Sequence, residues 1–497
     1  MAKTPKNILI RSRLLLPLDE EPGLETKIED GYLLTEGTVI KEVGPYRPEI
    51  GERIIRTYGE DLRIIGTDQD GSPAGWEIPC LNGVVLPGFV KAHGHDIQSG
   101  YIGIAKDESL LDWLDHAVSP FFHFLDESKE ELRKHFGATP YLLASLKDRL
   151  DDIHYGITSS LNHLCHFNRE NLPDLVESNT RAGTRMVAAI GCKDRGFEPV
   201  FLDTIEEAIT RLDECEATFG GVERFRIIPG PDQVFSNSEK MLKAVKAWAR
   251  DHDTLIHIHS SEEPANTRRF YRQYLSSPVQ YLHRAGLMDE NMMLVHQVNN
   301  TPVDLAIIKE TGAGVVHNPL ANTILGSGMP PIVEMMEMEI PVAIATDGSG
   351  SGDSQNILAA GRLASQYQKA FHQDARLLPA QKVLEMITVK PAKMLRLNCG
   401  SLQAGRDADL ILIDLSRPNL TPTRADNVVE NLIWASDGSE VRWVIAGGRL
   451  LKDDYRFLTL NEDRIKEQVL QLSELMMDYR ASRPEVRATG ARQEQDN

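Results

Sequence analysis

The chain changes character at residues 84–95, VVLPGFVKAHGH, where an apolar run ends in a polar cluster. Before this stretch, short β segments separated by turns predominate, among them 7–15, 32–43 and 61–67. After it, buried strands alternate with amphipathic helices. Residues 84–90 therefore predict the first strand of a new domain.

Seven more strand candidates follow this first one. They are 156–161, 185–191, 224–229, 255–259, 292–296, 314–317 and 342–346. The helix candidates between them are 132–149, 172–182, 205–219, 239–252, 267–285, 302–310 and 332–338. Eight β units with helical crossovers predict an α/β fold, a (β/α)8 barrel of the TIM type.

Beyond a predicted helix at 380–397, the sequence becomes rich in β segments again, at 400–402, 408–414, 441–445 and 447–451. Because both flanks of the barrel share this character, we predict a small composite β-sandwich domain built from both chain ends. The predicted parts are 1–86 and 396–460 for the β domain, 87–395 for the barrel, and 461–497 for a terminal helix and mobile tail.

Composition limits the partners and the compartment. The 497 residues include 54 Lys and Arg against 73 Asp and Glu, a net charge of −19, which disfavours nucleic acid and anionic membranes. No secretory signal or membrane-spanning stretch is predicted. Five dispersed cysteines form no CxxC pair, so we expect free thiols in the reducing cytoplasm.

Polar residues cluster at the predicted carboxyl ends of strands 1, 5, 6 and 8, where catalytic residues of barrels lie. They are His93, His95, His259, Glu262, His296 and Asp347. Two histidines at i and i+2 point to the same side of a strand, so both imidazoles can reach one ion.

Taken singly, each of these residues also has a structural interpretation. A lone histidine is often a hydrogen-bonded core residue, and this interpretation is favoured for His257, one layer deeper than His259. Asp347 alone could cap a helix. Because chance placement of the whole set is improbable, the sequence predicts a divalent metal with nitrogen and oxygen ligands.

Five motifs in order resemble those of the amidohydrolase superfamily, and more closely its cytosine/guanine-deaminase-like branch. That branch includes methylthioadenosine/S-adenosylhomocysteine deaminases and triazine hydrolases. The motifs are 87–95, similar to PGFVNxHxH; 259–262, similar to HxxE; 317–328, similar to HCPxSNxxLxSG; 346–348, TDG; and 400–410, similar to GSLxxGKxADL. They span almost the whole chain.

The resemblance implies a ligand set for one metal ion, zinc or less commonly iron: His93, His95, His259 and Asp347. Binuclear relatives place a bridging carbamylated lysine in the fourth strand, and residues 224–229 contain no lysine, which implies a mononuclear site. Lys193, after the third strand, is expected at the surface or facing the substrate.

The same resemblance assigns catalytic roles. A metal lowers the pKa of bound water from 15.7 to about 7. Asp347 would accept the proton of this water, Glu262 would shuttle it to the ring nitrogen and the leaving group, and His296 would stabilise the developing oxyanion. The implied reaction converts a ring C–NH2 into C=O and releases ammonia.

The substrate-facing loops depart from the pattern of the relatives. Phe122 and Ile102 replace a Glu and an Arg, and 232–235 and 161–166 replace an HxPY-like turn and an FVDMY-like stretch. We therefore expect a ring smaller or more apolar than a nucleoside. The predicted substrate contacts are Trp113, Asn162, His163, His166, Asn322 and Ser351, with packing roles left open for Asn162, His163 and His166 and for the phenylalanine-rich run 121–124.

Two alternatives to an aminohydrolase stay open at this stage. One is a hydrolase of the same fold that removes chloride or alkylamine from a triazine, or cleaves a urea or carbamate C–N bond. The other is a non-catalytic paralogue, against which the complete ligand set argues. A homodimer or higher homo-oligomer is expected from the resemblance.

Overall fold

The computed structural model describes residues 6–21, 23–67, 77–165, 171–197 and 199–483, which form a mixed α/β fold. The predicted tail beyond 483 and His166 lie outside the described residues. Among the described helices, none has the length and apolar character needed to cross a membrane.

Seventeen strands occur in the described part of the chain. They are β1 Asn7–Leu15, β2 Ile28–Glu36, β3 Val39–Pro45, β4 Leu62–Ile64, β5 Leu81–Pro87, β6 Phe89–Lys91, β7 Ile157–Leu164, β8 Arg185–Cys192, β9 Phe225–Pro231, β10 Ile256–Ser260, β11 Met292–His296, β12 Gly314–His317, β13 Val342–Ile344, β14 Leu410–Asp414, β15 Val441–Ala446, β16 Arg449–Asp453 and β17 Arg456–Phe457.

One nine-stranded sheet joins the two ends of the chain. Its order is β17-β16-β15-β14-β5-β1-β2-β3, with β4 paired to β1. The antiparallel pairing of β14 with β5 brings strands from the two ends of the chain together. The predicted single strand 32–43 is instead the hairpin of β2 and β3, because Gly37 turns the chain with a φ of +60°.

The strands that hold the candidate site form two parallel four-stranded sheets, β6-β7-β8-β9 and β10-β11-β12-β13. A parallel bridge between Gln233 and His259 connects the two. Strand order in each sheet follows the sequence, as expected. The predicted first strand, 84–90, is divided at Gly88: the part before it belongs to β5 in the nine-stranded sheet, and the part after it belongs to β6 in a parallel sheet. A Cβ at Gly88 would lie 2.2 Å from the Thr158 hydroxyl oxygen.

Apolar side chains of the parallel strands pack against one another in a shared core. Seven of the eight strands contribute to one buried cluster that includes Val90, Leu161, Val187, Ile228, Met293, Val316 and Ala343. Burial on this scale is the main source of stability for such a layer. The polar residues that follow these strands therefore rest on a rigid base.

Most of the helices lie between consecutive parallel strands along the chain, and the others lie before the first or after the last of these strands. The helices are α1 Pro48–Tyr58, α2 Leu110–Trp113, α3 Ser119–Glu127, α4 Lys129–Phe136, α5 Pro140–His154, α6 Leu172–Ala182, α7 Ile205–Phe219, α8 Glu239–Asp251, α9 Pro264–Tyr274, α10 Pro278–Arg284, α11 Pro302–Thr311, α12 Pro319–Ile324, α13 Ile332–Glu337, α14 Ser349–Gly352, α15 Ile357–His372, α16 Ala380–Met386, α17 Val389–Met394, α18 Val428–Trp434 and α19 Glu462–Ser482.

Three predicted helices are each divided in the structure, one of them being 380–397, which falls in α16 and α17. The stretch 132–149 falls in α4 and α5, which are separated by the left-handed Gly137 and restarted by Pro140. The stretch 267–285 falls in α9 and α10, which are separated by the left-handed Leu275 and restarted by Pro278. Proline is favoured in the first turn of a helix and disfavoured inside it, so these prolines begin new helices.

Candidate active site

The predicted ligands meet at the carboxyl ends of the parallel strands. His93 and His95 directly follow β6, His259 lies near the end of β10, and Asp347 follows β13. All four side chains are buried. Two further predicted residues, Glu262 after β10 and His296 at the end of β11, lie beside them.

The separations of the donor atoms suit one metal ion. His93 Nε2 lies 3.4 Å and His95 Nε2 lies 3.7 Å from Asp347 Oδ1, and the Nε2 atoms of His95 and His259 are 3.3 Å apart. Ligand atoms on a tetrahedral zinc are about 3.3 Å apart for bonds of about 2.05 Å. Both ring nitrogens of His93 are buried without a hydrogen-bond partner, which is costly unless a ligand satisfies one of them.

Backbone carbonyls orient two of these histidines. Nδ1 of His95 lies 2.7 Å from the carbonyl oxygen of His163, and Nδ1 of His259 lies 2.6 Å from that of Asp232. Because a carbonyl only accepts, each Nδ1 carries the proton and each Nε2 presents a lone pair to the common centre. Contacts of this kind fix the tautomer of metal-binding histidines.

The ring of His296 also lies close to His93 and Asp347, but its two nitrogens have the opposite hydrogen-bonding roles from those of His95 and His259. Its Nδ1 accepts from Asn322 Nδ2 at 2.9 Å, so the proton of the neutral ring is on Nε2. That atom lies 3.6 Å from Glu262 Oε1 and 3.8 Å from Asp347 Oδ2. His296 is therefore oriented to donate a hydrogen bond from Nε2 toward these two carboxylates.

Burial sets the protonation of the cluster. It lowers the pKa of His93 and His259 well below the usual value and that of His95 to about 4. Burial acts to raise the pKa of Asp347, but neighbouring histidines outweigh it and hold this pKa below its usual value. Neutral imidazoles with an ionised carboxylate can bind a cation at neutral pH.

Glu262 differs from Asp347 in its protonation. Burial raises the pKa of Glu262 above its usual value, and the nearby His296 only partly opposes this. Its other oxygen, Oε2, accepts from Gln233 Nε2 at 3.5 Å. A carboxyl with a raised pKa can hold a proton and then transfer it, as general acid–base catalysis requires.

The backbone is strained at three points of the site. Ser261, His296 and Asp347 have φ values of +53°, +73° and +69°. This left-handed conformation is unfavourable for residues with a Cβ and is concentrated at functional sites in proteins. No signal in the sequence indicates this strain.

A cavity opens over the cluster, with an empty volume of about 760 Å³ including its mouth. Its walls are mostly apolar and include Tyr101, Leu110, Trp113, Val118, Phe122 and Leu325. Amides that sequence reasoning did not single out, Gln98 and Gln233, add polar groups near the catalytic end. A mostly apolar lining with a few polar groups at one end is typical of a small-molecule site.

The predicted substrate contacts separate into two groups. Trp113, His163 and Ser351 line the cavity. Asn162 and Asn322 are fully buried and do not line it; Asn162 accepts from the backbone N–H of Asp96, and Asn322 donates to His296. In the sequence, the only signal for this supporting role of Asn322 is that it carries a polar amide within the motif 317–328.

Two other residues singled out in the sequence face the cavity. Phe122 packs in the core and also forms part of the cavity wall, so both interpretations of the run 121–124 hold for this residue. Lys193 lines the cavity with only 2% of its surface exposed, and its Nζ lies 3.5 Å from Asp232 Oδ2. Of its two expected positions, the surface one is therefore wrong.

Comparisons with known proteins agree with the motifs. A 5'-deoxyadenosine deaminase of Methanosphaera stadtmanae is 28% identical over 429 residues, 86% of this chain and 96% of that protein. A 5-methylthioadenosine/S-adenosylhomocysteine deaminase of Pyrococcus furiosus is 27% identical over 435 residues, 84% of this chain and 98% of that protein.

Solved structures show the same fold at lower identity. An adenosine deaminase from Xanthomonas campestris with bound zinc is 21% identical, with a TM-score of 0.78 over 96% of this chain and 99% of that one. An atrazine chlorohydrolase from Arthrobacter aurescens complexed with zinc is 20% identical, with a TM-score of 0.81 over 94% of this chain and 100% of that one. The model of the amidohydrolase family matches residues 84–451, and the chain therefore belongs to that family, as its motifs predict.

Proposed function

We propose that this amidohydrolase is a metal-dependent aminohydrolase, which hydrolyses the exocyclic C–NH2 bond of an aromatic N-heterocycle and releases ammonia. The observation that carries the proposal is the grouping of His93, His95, His259 and Asp347 at metal-ligand separations. A carboxyl and an imidazole donor adjoin this group. The deaminase names of the relatives support the same reaction.

The four residues would hold one divalent ion, and zinc is favoured by three imidazoles and one carboxylate, among which three donor pairs lie 3.3–3.7 Å apart. A bound ion of this kind lowers the pKa of water to about 7 and so supplies a nucleophile at neutral pH.

The side chains then divide the proton transfers. Asp347, whose pKa is held low, accepts the proton of the attacking water. Glu262, whose pKa is raised, carries a proton to the ring nitrogen and afterwards to the departing amine. His296 donates its Nε2 proton to the oxygen that gains charge during attack.

The substrate class follows from the cavity. Its apolar wall of Trp113, Leu110 and Phe122 suits the faces of a flat ring, and the polar groups converge at one end. The 5'-deoxyadenosine deaminases among the relatives indicate an aminated purine as the first class to test. Ring systems without a sugar belong in the same screen, because Phe122 occupies the cavity wall.

The finer architecture belongs to the same proposal. We propose that the eight parallel strands close into a barrel, supported by their shared core and by the approach of His93 to Asp347. The composite sheet would fold into a sandwich around its own core, which includes Ile10, Leu33, Val85, Leu412 and Trp443. The proposed domain boundaries stay at 1–86, 87–395, 396–460 and 461–497.

A cytoplasmic location is also proposed, supported by five cysteines that are all free. A homodimer or higher oligomer stays a prediction.

Metal analysis coupled to an ammonia-release screen over purines, pterins, pyrimidines and triazines tests the function. We expect close to one metal ion per chain and ammonia from at least one ring. Release of chloride or alkylamine without ammonia would replace the aminohydrolase by a triazine-type hydrolase. A protein that binds no metal, and whose stability does not change with a chelator, would be a non-catalytic paralogue.

A further inference from the structure

The ligand group lies across a gap between two of the parallel strands. His93 follows β6 and Asp347 follows β13, yet no hydrogen-bonded ladder joins these two strands in the described part of the chain. The relative position of the two ligands must therefore be set by other contacts. The side chains of Lys91 and Gln355 are hydrogen-bonded to each other across this gap.

Lys91, two residues before His93, is completely buried. Its Nζ lies 2.9 Å from Asp148 Oδ2, 2.8 Å from Asp152 Oδ1 and 2.8 Å from Gln355 Oε1. An ammonium group has three donors and no acceptor, so it must face the oxygen of the Gln355 amide and not its nitrogen. Lys91 thus fixes which way this amide points.

The amide of Gln355 is fully engaged. Its Oε1 also accepts from Thr346 Oγ1 at 2.7 Å, and its Nε2 donates to the carbonyl oxygen of Asp347 and to Ser349 Oγ, each at 3.0 Å. Two acceptor and two donor positions are therefore used, which is the full capacity of an amide. The contact with Asp347 follows from the orientation that Lys91 imposes.

Asp347 needs such a contact because its backbone is strained. A φ of +69° is unfavourable for a residue with a Cβ and persists only where the surrounding contacts hold it. The carboxylate is tied to this backbone, since its Oδ1 accepts from the N–H of Gly348 at 2.7 Å. A change in the peptide would therefore move the carboxylate away from His93 and His95.

We propose that Gln355, oriented by Lys91, is a positioning residue that holds Asp347 in its metal-binding and proton-accepting geometry. The inference rests on the proposed function. It predicts that Gln355 acts on metal affinity and on turnover, and much less on substrate binding. Outer contacts of metal ligands typically change metal affinity or activity by about 10–100-fold.

The test compares Gln355→Met with Gln368→Met in the full chain. Gln368 is a matched control, because it is also buried, also donates its Nε2 to a backbone carbonyl (of Pro330, at 3.0 Å), and does not line the cavity. Zinc affinity is measured by competition with a chromophoric chelator. Ammonia release gives kcat and KM, and thermal unfolding of the apo-proteins gives Tm.

For Gln355→Met we expect zinc affinity and kcat each about 10–100-fold lower, with KM within about twofold of wild type. Gln368→Met should keep wild-type zinc affinity and kcat, with a comparable decrease of the apo Tm. Wild-type zinc affinity and kcat in Gln355→Met, or equal losses in both variants, would overturn the inference. A wild-type protein that neither binds zinc nor releases ammonia would contradict the proposed function instead.

A milder variant decides the matter if Gln355→Met does not fold. Gln355→Glu keeps the size of the side chain and an oxygen facing Lys91, and it replaces the Nε2 that donates to the Asp347 carbonyl oxygen by a second oxygen. A several-fold loss of zinc affinity would support the inference, and unchanged affinity would overturn it.

Discussion

Two buried polar regions lie next to each other at the first parallel strand, and they are built differently. The ligand group is His93, His95, His259 and Asp347, whose facing atoms are 3.3–3.7 Å apart. The charged network is Lys91, Asp96, Asp148, Arg149 and Asp152, in which every charged group lies within 3.1 Å of an opposite charge.

The comparison of the ligand group with the charged network shows which buried polar groups indicate a function. In the charged network, two cations face three carboxylates, and burial raises the pKa of Asp96 well above its usual value, so that the network approaches neutrality. In the ligand group, neither ring nitrogen of His93 has a hydrogen-bond partner among the described residues, and donor atoms of His93, His95 and His259 lie within 4.8 Å of one another. Burial is therefore common to structure and function, and what distinguishes the ligand group is that acceptor atoms face one another, the Nε2 atoms of His95 and His259 at 3.3 Å.

The largest expected effect is the loss of a ligand. His259→Ala should lose the metal and bring ammonia release to background, because three ligands hold the ion far less tightly. The matched control is His257→Ala, two residues earlier on β10, whose ring stacks on His93 but does not belong to the ligand group. Metal analysis of both proteins checks this, and equal metal content in the two variants would contradict the assignment.

Next in size is the loss of the proton carrier. Glu262→Gln should keep its metal and lose kcat by about 10²–10⁴-fold, the usual contribution of general acid–base catalysis. Glu263→Gln is the control, since the carboxylate of Glu263 caps α9 through the N–H groups of Ala265 and Asn266. Steady-state rates of ammonia release decide, and full activity in Glu262→Gln would remove this residue from the mechanism.

Breaking the charged network should affect stability and not the metal. Arg149→Met leaves buried carboxylates without their cation and should lower the free energy of unfolding by about 3–5 kcal/mol. Arg181→Met, at an exposed pair with Glu177, should cost less than about 1 kcal/mol. Urea unfolding measures both, and a loss of metal per folded chain in Arg149→Met would show that the network is part of the site.

A second buried lysine tests the role of pairing. Lys452 is as buried as Lys91, but in the described part of the chain no carboxylate lies within 4.0 Å of its Nζ, and burial lowers its pKa from 10.5 to about 8. Between these pH values the unfolded chain binds more protons than the folded one. The free energy of unfolding should therefore rise with pH from about 8 to about 10.5, by up to about 3 kcal/mol.

Lys452→Met removes the group that titrates. Urea unfolding at several pH values should show that this rise is absent in the variant, which is also more stable than wild type at pH 7. An identical pH dependence in both proteins would contradict the assignment to Lys452.

The sequence placed these polar residues at strand ends because period-two alternation and strand ends are local properties, whereas the choice of the four ligands among them came from the resemblance to the amidohydrolases. His93, His95 and His259 can each be placed on a strand end from their neighbours alone, and Asp347 follows an apolar run. The charged network was not predicted, because Lys91 meets Asp148 and Gln355 across 57 and 264 residues. Pairing over such distances depends on the packing of the whole fold.

Other differences have local causes that compete with hydrophobic periodicity. The apolar pattern continues across Gly137 and Pro140, so it predicted one helix where the structure has two. The apolar run 84–90 likewise continues through Gly88, although the chain there passes from β5 in the nine-stranded sheet to β6 in a parallel sheet. The left-handed conformations of His296 and Asp347 have no counterpart in hydropathy at all.

The most direct test of the account is a zinc titration of the apo-protein, with the initial rate of ammonia release from a panel of aminated heterocycles as the readout. The account predicts a rate that rises in proportion to zinc and reaches its plateau at one equivalent per chain. A rate independent of zinc, a plateau at two equivalents, or no ammonia from any ring would contradict it.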